Sequence, residues 1–374
     1  MLVLLSVLLL LRMVHSAISV QASSGCRITL GEYSRTNRLG IILHFDAGIY
    51  RFKEPLNGIY EWNAGESIFV GCGDQINTVT CSSNGDLTRV LNCSKAPKYF
   101  WVEGATSTTF GTVYQIGFKV GTDTFLPLYK VSYDKQECTT RYSEHTLIGT
   151  FFGDDLATRS KKKDFSPFLC KDLTEIKPIN DWYSWNSQKE VLHGNQNVPN
   201  QNVVYELQRG HLTPDRDIPD HVWKRTTYTF ANVVPMYRTI HSEGGNWWKL
   251  EELANNLIIV NRGVCTIYTG GLNVPEFTKN YLSGAEGKIA IPHWLWKVVK
   301  CGNAGFVAFV LNRIEKTTFN TFCTQDQLSM IGYTGQFKKE PKHGRIHFCK
   351  YADVRHGILP AEASFTDLLR ANVV

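Results

Sequence analysis

The stretch Tyr205-Glu-Leu-Gln-Arg-Gly-His-Leu-Thr-Pro-Asp215 decides how the fold of this chain is interpreted. Two further segments follow it in order, Phe230-Ala-Asn-Val-Val-Pro235 and Asn246-Trp-Trp-Lys-Leu-Glu251. Together they set out a histidine, an asparagine and a glutamate at defined intervals. Because Arg-Gly-His alone is a common tripeptide, the specificity lies in the ordered combination of the three segments.

These residue types suit one chemistry. An exposed neutral histidine at the end of a strand can accept a proton from water. An asparagine amide oxygen can bind magnesium, an ion that takes few protein ligands and keeps several waters. The metal then stabilises charge on a phosphate and on the departing oxygen, while a nearby arginine holds the phosphate. The three segments therefore indicate metal-assisted cleavage of a phosphodiester.

Length, charge and the first residues limit the class of protein. The chain has 374 residues, 43% of them hydrophobic, which is enough for two domains or one large one. Its net charge of +6 suits a polyanionic partner. Residues 1–16 carry an apolar run, Leu2–Leu10, that is too short to span a bilayer and is typical of a signal peptide. We expect a secreted, extracellular protein without a membrane anchor.

The ten cysteines agree with export, since about five disulfides are expected in such a chain. Four cysteines precede residue 105 and six follow it, so each half can close on itself. The sequence contains no Cys-x-x-Cys pair, which argues against a structural zinc site. The connectivity and the oligomeric state stay open.

Two regions follow the signal peptide. Residues 17–105 alternate apolar and polar residues between Gly, Asn, Asp and Ser clusters, which predicts a small all-β domain. Residues 106–374 form the second predicted domain. Within it we predict a hairpin (112–120 with 124–133), a polar surface loop (171–202), a strand (226–234), a helix (246–259) and strands at 264–271 and 306–311. The predicted class is α+β with a mixed or antiparallel sheet.

The second region resembles the DNA/RNA non-specific endonucleases, whose site is a ββα-metal motif, and in particular their secreted arthropod gut and salivary branch. The matching segments are Arg209-Gly-His-Leu-Thr-Pro-Asp215, Asn232-Val-Val-Pro235, Gly244-Gly-Asn-Trp247 with Leu250-Glu251, Tyr268-Thr-Gly-Gly271 and Ile291–Val299. Asn232 follows His211 by 21 positions, the usual interval of the family. The resemblance covers roughly residues 106–374.

The resemblance implies a role for each matched residue. His211 would be the general base, Arg209 a phosphate-side arginine and Asn232 the residue that orients the site. Glu251 would contact the metal indirectly, behind its direct ligands. The implied cofactor is Mg²⁺, with Mn²⁺ as the alternative, and the implied partners are single- or double-stranded DNA and RNA, held through their phosphate backbone.

Two positions depart from the family pattern. Family members carry a metal-binding asparagine just before the Gly-Gly-Asn-Trp element, where this chain is two residues longer. Counting forward places His241 at that position, and counting backward places Glu243 there. Imidazole is a poor ligand for Mg²⁺, and a glutamate adds negative charge beside a phosphate. In addition, Asn255 stands where the family has an arginine, one helical turn after Glu251. We therefore expect low metal occupancy.

Several basic and aromatic residues are further candidates for contact with nucleic acid. The candidates for phosphate contact are Lys161, Lys162 and Lys163, with Arg141, Arg216, Lys224 and Arg225 as weaker ones. The alternative for the lysine run is a solvated loop. Trp247, Trp248, Trp294 and Trp296 are expected in the core more than as platforms for stacked bases.

The sequence leaves two main hypotheses. In the first, the protein binds DNA and RNA without sequence preference on an endonuclease scaffold and retains weak metal-dependent hydrolysis. In the second, it is a fully active Mg²⁺-dependent endonuclease in which Glu243 or His241 replaces the missing ligand. A third and more distant hypothesis is a structural or host-interaction protein that inherited the fold. We favour the first because the scaffold and the basic charge are retained while two site positions are altered.

Overall fold

The computed structural model describes residues 25–33, 39–82, 87, 91–107, 111–152, 165–166, 170–193, 204–261, 263–273, 279–302, 304–314, 337–349 and 354. The predicted signal peptide and Lys161, Lys162 and Lys163 lie outside the described residues. Within the described ranges, no helix has both the length and the apolar character needed to cross a bilayer.

The amino-terminal part is rich in β-structure, as the alternation of its sequence predicts. Strand β1 (Cys26–Thr29) pairs with β4 (Ile59–Trp62), and the short helix α1 (Leu30–Tyr33) follows β1. A four-stranded antiparallel sheet has the order β3-β2-β5-β6, with β2 at Ile41–Asp46, β3 at Ile49–Phe52, β5 at Ser67–Cys72 and β6 at Gln75–Thr80.

An eight-stranded antiparallel sheet forms the centre of the molecule, in the order β18-β17-β16-β13-β10-β9-β8-β7. The strands are β7 (Tyr99–Ser107), β8 (Gly111–Val120), β9 (Thr124–Asp134), β10 (Thr139–Ile148), β13 (Val264–Leu272), β16 (Trp294–Cys301), β17 (Ala304–Leu311) and β18 (Ile346–Cys349). The predicted hairpin at 112–133 and the strands at 264–271 and 306–311 are confirmed. Strand β7 spans the predicted boundary at residue 105, because it pairs with β8 from Tyr99 to Ser107.

Strand β16 shows how the large sheet is buried on both faces. Leu295 and Val299 join the core cluster that contains Trp247 and Leu250. Trp296 belongs to the core cluster on the opposite side, since successive side chains of a strand point to opposite faces. Trp247, Trp294 and Trp296 are at most 1% exposed, so the core assignment of these three tryptophans is confirmed.

A smaller unit of two strands and a helix lies against this sheet. Strand β11 (Leu207–His211) pairs antiparallel with β12 (Val233–Tyr237). The short helices α5 (His221–Lys224) and α6 (Arg238–His241) precede and follow β12, and helix α7 (Asn246–Asn261) comes next. Strands β14 (Asn280–Tyr281) and β15 (Ala290–Ile291) form a separate pair. The strand–strand–helix succession of β11, β12 and α7 confirms the expected ββα arrangement within an α+β fold.

Two local predictions are wrong. The segment 171–193 is not a loop but contains α2 (Lys171–Ile176), α3 (Ile179–Trp182) and α4 (Trp185–His193), because Leu173, Ile179 and Trp182 are buried in the core. The segment 226–232 is not a strand, and β12 begins only at Val233. There the hydroxyls of Thr226 and Thr227 donate to the carbonyls of Trp223 and Lys224, local bonds that compete with a strand ladder.

Disulfides tie each half of the chain to itself, as the cysteine distribution suggests. Cys26–Cys81 and Cys72–Cys93 close the amino-terminal part. Cys138–Cys170 and Cys265–Cys301 close the second region, and Cys349 is also disulfide-bonded. The two regions share one core, since Phe118, Val120 and Trp223 pack with the strands of the first region.

Candidate active site

His211 is the last residue of β11, where it pairs with Val233 of β12. The residue before it is Gly210, where a Cβ would lie 2.1 Å from the sulfur of Met236 and would force that side chain to move. The imidazole lies 5.2 Å from the Phe165 ring and 5.1 Å from the Tyr228 ring, measured between centroids. The sequence suggested an exposed ring, whereas these aromatic rings enclose it.

The enclosure of His211 sets its protonation state. Its Nε2 atom is buried and has no hydrogen-bond partner among the described residues. Burial lowers the pKa of His211 to about 4, with the charge of Asp215 opposing the shift and that of Arg209 adding to it. The imidazole is therefore neutral near pH 7 and has a free ring nitrogen that can accept a proton.

Asn232 fixes the loop that follows His211. Its side-chain Oδ1 accepts a hydrogen bond from the Thr213 backbone N–H at 2.9 Å. Its Nδ2 donates to the carbonyls of Thr213 (2.8 Å) and Thr227 (3.1 Å). Because the amide bonds to backbone groups through both its oxygen and its nitrogen and is 0% exposed, Asn232 holds the backbone of Thr213 and Thr227 in place.

Arg209 lies two residues before His211 on the same strand, so both side chains point to one face of β11. Its guanidinium donates to Asn180 Oδ1 at 2.6 Å and lies 5.0 Å from the centre of the Phe165 ring. These contacts hold the cation beside the imidazole without pairing it to a carboxylate. The group is thus placed to contact a phosphate near His211.

Glu251 lies on α7 and is 7% exposed. Burial raises the pKa of Glu251 to about 7, and the positive charges of Lys297 and Arg216 limit that rise. Its carboxylate has no recorded hydrogen bond to a described residue. A carboxyl group of this kind changes its charge near neutral pH, which is typical of functional sites.

Lys297 is a site residue that the sequence analysis did not identify. It is 1% exposed on β16, its Nζ donates to Thr269 Oγ1 at 2.8 Å, and it lies 5.3 Å from the centre of the Trp247 ring. Burial lowers the pKa of Lys297, while Asp217 and Glu251 act in the opposite direction. The sequence did contain one signal for it, because Lys297 stands within the apolar run Trp294–Val299. Lysine is almost never buried without a partner, so a lysine in such a run indicates a buried charged group.

Arg216 supplies a second cation to this region. Its guanidinium carbon lies 5.5 Å from the centre of the Trp248 ring, the half-buried tryptophan at the start of α7. Its charge favours ionisation of both Glu251 and Asp217. Of the predicted phosphate contacts, Arg216 is therefore the one that the structure places beside Glu251.

A buried polar chain supports the loop from the other side. His145 Nε2 lies 2.8 Å from Asp217 Oδ2, and His145 Nδ1 lies 3.2 Å from Thr213 Oγ1. Burial opposes ionisation of Asp217, but the hydrogen bond and charge of His145 hold the pKa of Asp217 below its ordinary value. The hydrogen bonds of His145 and those of Asn232 meet at Thr213, two residues after His211. The two sets of contacts fix the backbone that carries the base.

Glu243 and His241 are the two alternatives for the metal-ligand position. Glu243 is exposed in the turn before α7, and His241 Nδ1 lies 3.2 Å from Gln208 Oε1. Among the described residues, no group of three or more His, Cys, Asp or Glu side chains is arranged to hold a metal ion. An imidazole at His241 is a poor ligand for Mg²⁺, whereas the carboxylate of Glu243 has the oxygen chemistry that this ion prefers.

Asn255 stands at the position where the family resemblance implies an arginine, and its amide carries no charge. It is 5% exposed, and its Oδ1 is buried with no hydrogen-bond partner among the described residues. It follows Glu251 by one helical turn on α7 and so shares its face. No positive group stands at this point of the helix.

The remaining basic candidates lie elsewhere. Lys224 is only 1% exposed, and burial lowers its pKa, so its ammonium does not lie on an open groove. Arg225 is half-buried on the segment after α5. Arg141 forms ion pairs with Asp134 and Glu137, at 2.5 and 3.1 Å. Burial of Lys224 and the ion pairs of Arg141 thus leave these two less available to a phosphate than Arg209 and Arg216.

Comparison with known proteins places this site in a family. The profile of the DNA/RNA non-specific endonucleases matches residues 110–350. A salivary endonuclease of Culex quinquefasciatus is 34% identical over 369 residues, which cover 95% of this chain and 94% of that protein. The chain therefore belongs to the DNA/RNA non-specific endonuclease family.

Two further similarities are more distant. Salivary protein Tsal1 of Glossina morsitans morsitans is 24% identical over 326 residues, covering 80% of this chain and 79% of that protein. A solved structure of the EndoG/EndoGI complex is 17% identical with a TM-score of 0.34, covering 50% of this chain and 73% of that chain. A score this low adds nothing to the family assignment.

Proposed function

We propose that this protein is an exported binder of DNA and RNA, without sequence preference, that retains weak phosphodiester hydrolysis. The observation that carries the proposal is that one part of the site is retained and another part is altered. The neutral imidazole of His211 is kept in place by Asn232, whereas Glu243 is exposed, His241 contacts Gln208, and Asn255 has replaced a cation. The scaffold supports binding better than it supports rapid cleavage.

Binding would depend on charge at the backbone of the nucleic acid. Arg209 and Arg216 lie against aromatic rings and form no ion pair with a carboxylate of the described residues, so their guanidinium groups keep donors for phosphate oxygens. Contacts to phosphates carry no sequence information and weaken steeply as salt rises. The net charge of +6 favours the same partner.

Hydrolysis would depend on the imidazole. His211 would accept a proton from the attacking water, and Arg209 would hold the phosphate beside it. Loss of one group that stabilises transition-state charge typically lowers a rate by about 10²–10³. With Asn255 in place of a cation, Glu243 exposed and His241 in contact with Gln208, we expect slow turnover.

A second candidate function is a fully active endonuclease. Lys297 and Arg216 favour it, because both cations act on Glu251 and so supply positive charge that the helix itself lacks. The relative from Culex quinquefasciatus is named a salivary endonuclease, whereas the Glossina relative carries no activity in its name. Both names support release into saliva, and the apolar first residues and the disulfides support export in general.

Binding and cleavage assays on the same preparation separate the two functions. Purified mature protein is incubated with plasmid DNA and with double-stranded RNA, in Mg²⁺, in Mn²⁺ and in chelator, beside His211→Ala. We expect a gel shift that weakens with salt and only slow cutting that requires His211. Rapid cutting that requires both a divalent metal and His211 would establish the active endonuclease instead.

A further inference from the structure

A second cleft lies apart from His211, where the amino-terminal sheet meets the edge strand β7. Its volume is about 520 Å³, within the range of about 300–1,000 Å³ found for ligand sites. We call it the lysine cleft. Its lining includes Asp74, Lys95, Lys98, Phe100, Lys119 and Thr122.

The walls of the lysine cleft are held by covalent and backbone links. The Cys72–Cys93 disulfide joins the end of β5 to the segment that carries Lys95 and Lys98. The backbone N–H of Gly121 donates to the carbonyl of Gly73 at 3.0 Å, which joins the β8–β9 turn to the β5–β6 turn. The cleft is therefore formed before any ligand arrives, which lowers the entropic cost of binding.

The charges around the cleft are unbalanced. Tyr99 pairs with Phe118 as the first pair of the β7–β8 ladder, and Lys98 and Lys119 are the next residue on each side of that pair, so the two lysines lie at the same end of the ladder. Like charges directly opposite each other destabilise a strand pair. None of Lys95, Lys98 and Lys119 forms an ion pair with another described residue, and Asp74 is the single acidic residue of the lining. An anion in the cleft would remove this repulsion.

The cleft also presents an aromatic surface. Phe100 is 44% exposed on β7, an edge strand of the eight-stranded sheet. Its ring lies in the same lining as the three lysines. A ligand that matches both features carries a flat apolar ring and several negative charges. A nucleotide unit of an unpaired strand has that chemistry, because its base can stack on an aromatic ring while its phosphates meet cations.

We propose that the lysine cleft is a second binding site for single-stranded nucleic acid, with a base on Phe100 and flanking phosphates on Lys95, Lys98 and Lys119. The inference rests on the proposed function and adds a site outside the family's catalytic residues. Strand β7 links the two sites, because the Tyr99 hydroxyl bonds to Ser166 and to the Tyr228 carbonyl, and Tyr228 packs on His211. A single-stranded nucleic acid that is long enough to reach both the lysine cleft and His211 binds more tightly than one that reaches only one of them.

Fluorescence anisotropy tests the cleft on the full mature protein. The probe is a fluorescein-labelled single-stranded oligonucleotide of about 20 nucleotides, titrated in chelator over a range of salt concentrations. The variants are Lys98→Gln with Lys119→Gln, and Phe100→Ser. The matched control is Arg27→Gln with Arg51→Gln, which removes the same charge from exposed sites of the same region. Near-ultraviolet circular dichroism checks that each variant is folded.

The expected result is an affinity about tenfold lower for the lysine variant, with a salt slope smaller by about 1.4. Phe100→Ser should lower affinity at least about fivefold with an unchanged slope, since stacking is not an ionic contact. If both variants bind like the control, the cleft is not a nucleic-acid site, although the proposed function stands. If the lysine variant loses affinity but Phe100→Ser does not, the proposal that a base stacks on Phe100 is wrong. No binding by the unaltered protein overturns the proposed function and the cleft together.

Discussion

The ammonium of Lys297 lies 5.3 Å from the centre of the Trp247 ring, one helical turn before Glu251 on α7. A buried strand thus places a cation beside helix α7, which carries the uncharged Asn255 one turn after Glu251. The same ammonium donates to Thr269 Oγ1, so its position is fixed by two elements of the large sheet and one helix. The charge of Lys297 opposes the burial-driven rise in the pKa of Glu251, so a change at Lys297 should alter the titration of Glu251.

Removing the cation should change the pH dependence of hydrolysis. Lys297 lowers the pKa of Glu251, so Lys297→Met should raise that pKa above about 7 and shift the ascending limb of the rate profile to higher pH. We expect the rate at pH 7 to fall about tenfold or more, with partial recovery in Lys297→Arg. Initial rates measured across pH on a labelled oligonucleotide check this. An unchanged profile in Lys297→Met means that the two groups are not coupled.

Stability should also depend on the protonation of Glu251. Its folded pKa of about 7 lies above the ordinary value of 4.5, so the folded state binds the extra proton. The corresponding stability is fully present below pH 4.5 and is lost as pH rises through about 7. The loss amounts to about 3 kcal/mol, as an order of magnitude.

Glu251→Gln should remove that pH dependence, because glutamine does not titrate. Urea denaturation at pH 5 and pH 8 measures it, with Glu252→Gln as the control on the adjacent, half-buried position. The difference between the two pH values should shrink in Glu251→Gln and stay in Glu252→Gln. Equal differences in both variants would show that Glu251 is ionised in the same way in the folded and unfolded protein.

Asn232 should be essential to the structure of the site. Asn232→Ala leaves the Thr213 N–H and two carbonyls without their partner, at a cost of about 2–3 kcal/mol. We expect a lower melting temperature and loss of the residual hydrolysis, with nucleic-acid binding largely retained through Arg209 and Arg216. Thermal melts and gel shifts measure both effects. A variant with the melting temperature and activity of the native chain would assign Asn232 no orienting role.

Restoring the altered positions should increase cleavage. Glu243→Asn with Asn255→Arg returns the family's residues to both places, and we expect Mg²⁺-dependent cutting to rise about tenfold or more. The two single variants complete a cycle that measures whether the changes act together. Because Asn255 is 5% exposed, a melting curve must accompany its arginine variant. No gain in any of the three folded variants would show that the damage lies elsewhere.

The elements that the sequence predicted are those with strong local patterns. The hairpin of β8 and β9, helix α7 and the order of β11 and β12 follow from alternation, helical periodicity and short motifs. The helices between Lys171 and His193 were not predicted, because polar residues dominate the composition of this segment although Leu173 and Trp182 are buried in the core. Tertiary contacts overrode local propensity there.

The residues of the candidate site also fall into two groups, those that sequence motifs identify and those that only the tertiary structure reveals. Arg209, His211, Asn232 and Glu251 belong to motifs of fixed spacing, and the structure describes each of them on β11, β12 or α7 and the adjoining turn. Lys297 belongs to no such motif, and its relevance arises only because β16 packs against α7. The burial of Lys224 likewise depends on the packing of α5 against the amino-terminal region, which no local pattern reveals.

The most direct test of the account is the first-order cleavage rate of plasmid DNA that is fully bound by the protein, in Mg²⁺ at low salt. Saturation removes differences in affinity, so the rate reports only the chemistry at His211. We predict a rate at least about tenfold below that of the Glu243→Asn, Asn255→Arg variant and abolished by His211→Ala. A rate in the native chain equal to that of the restored variant, and still dependent on His211, would contradict the account.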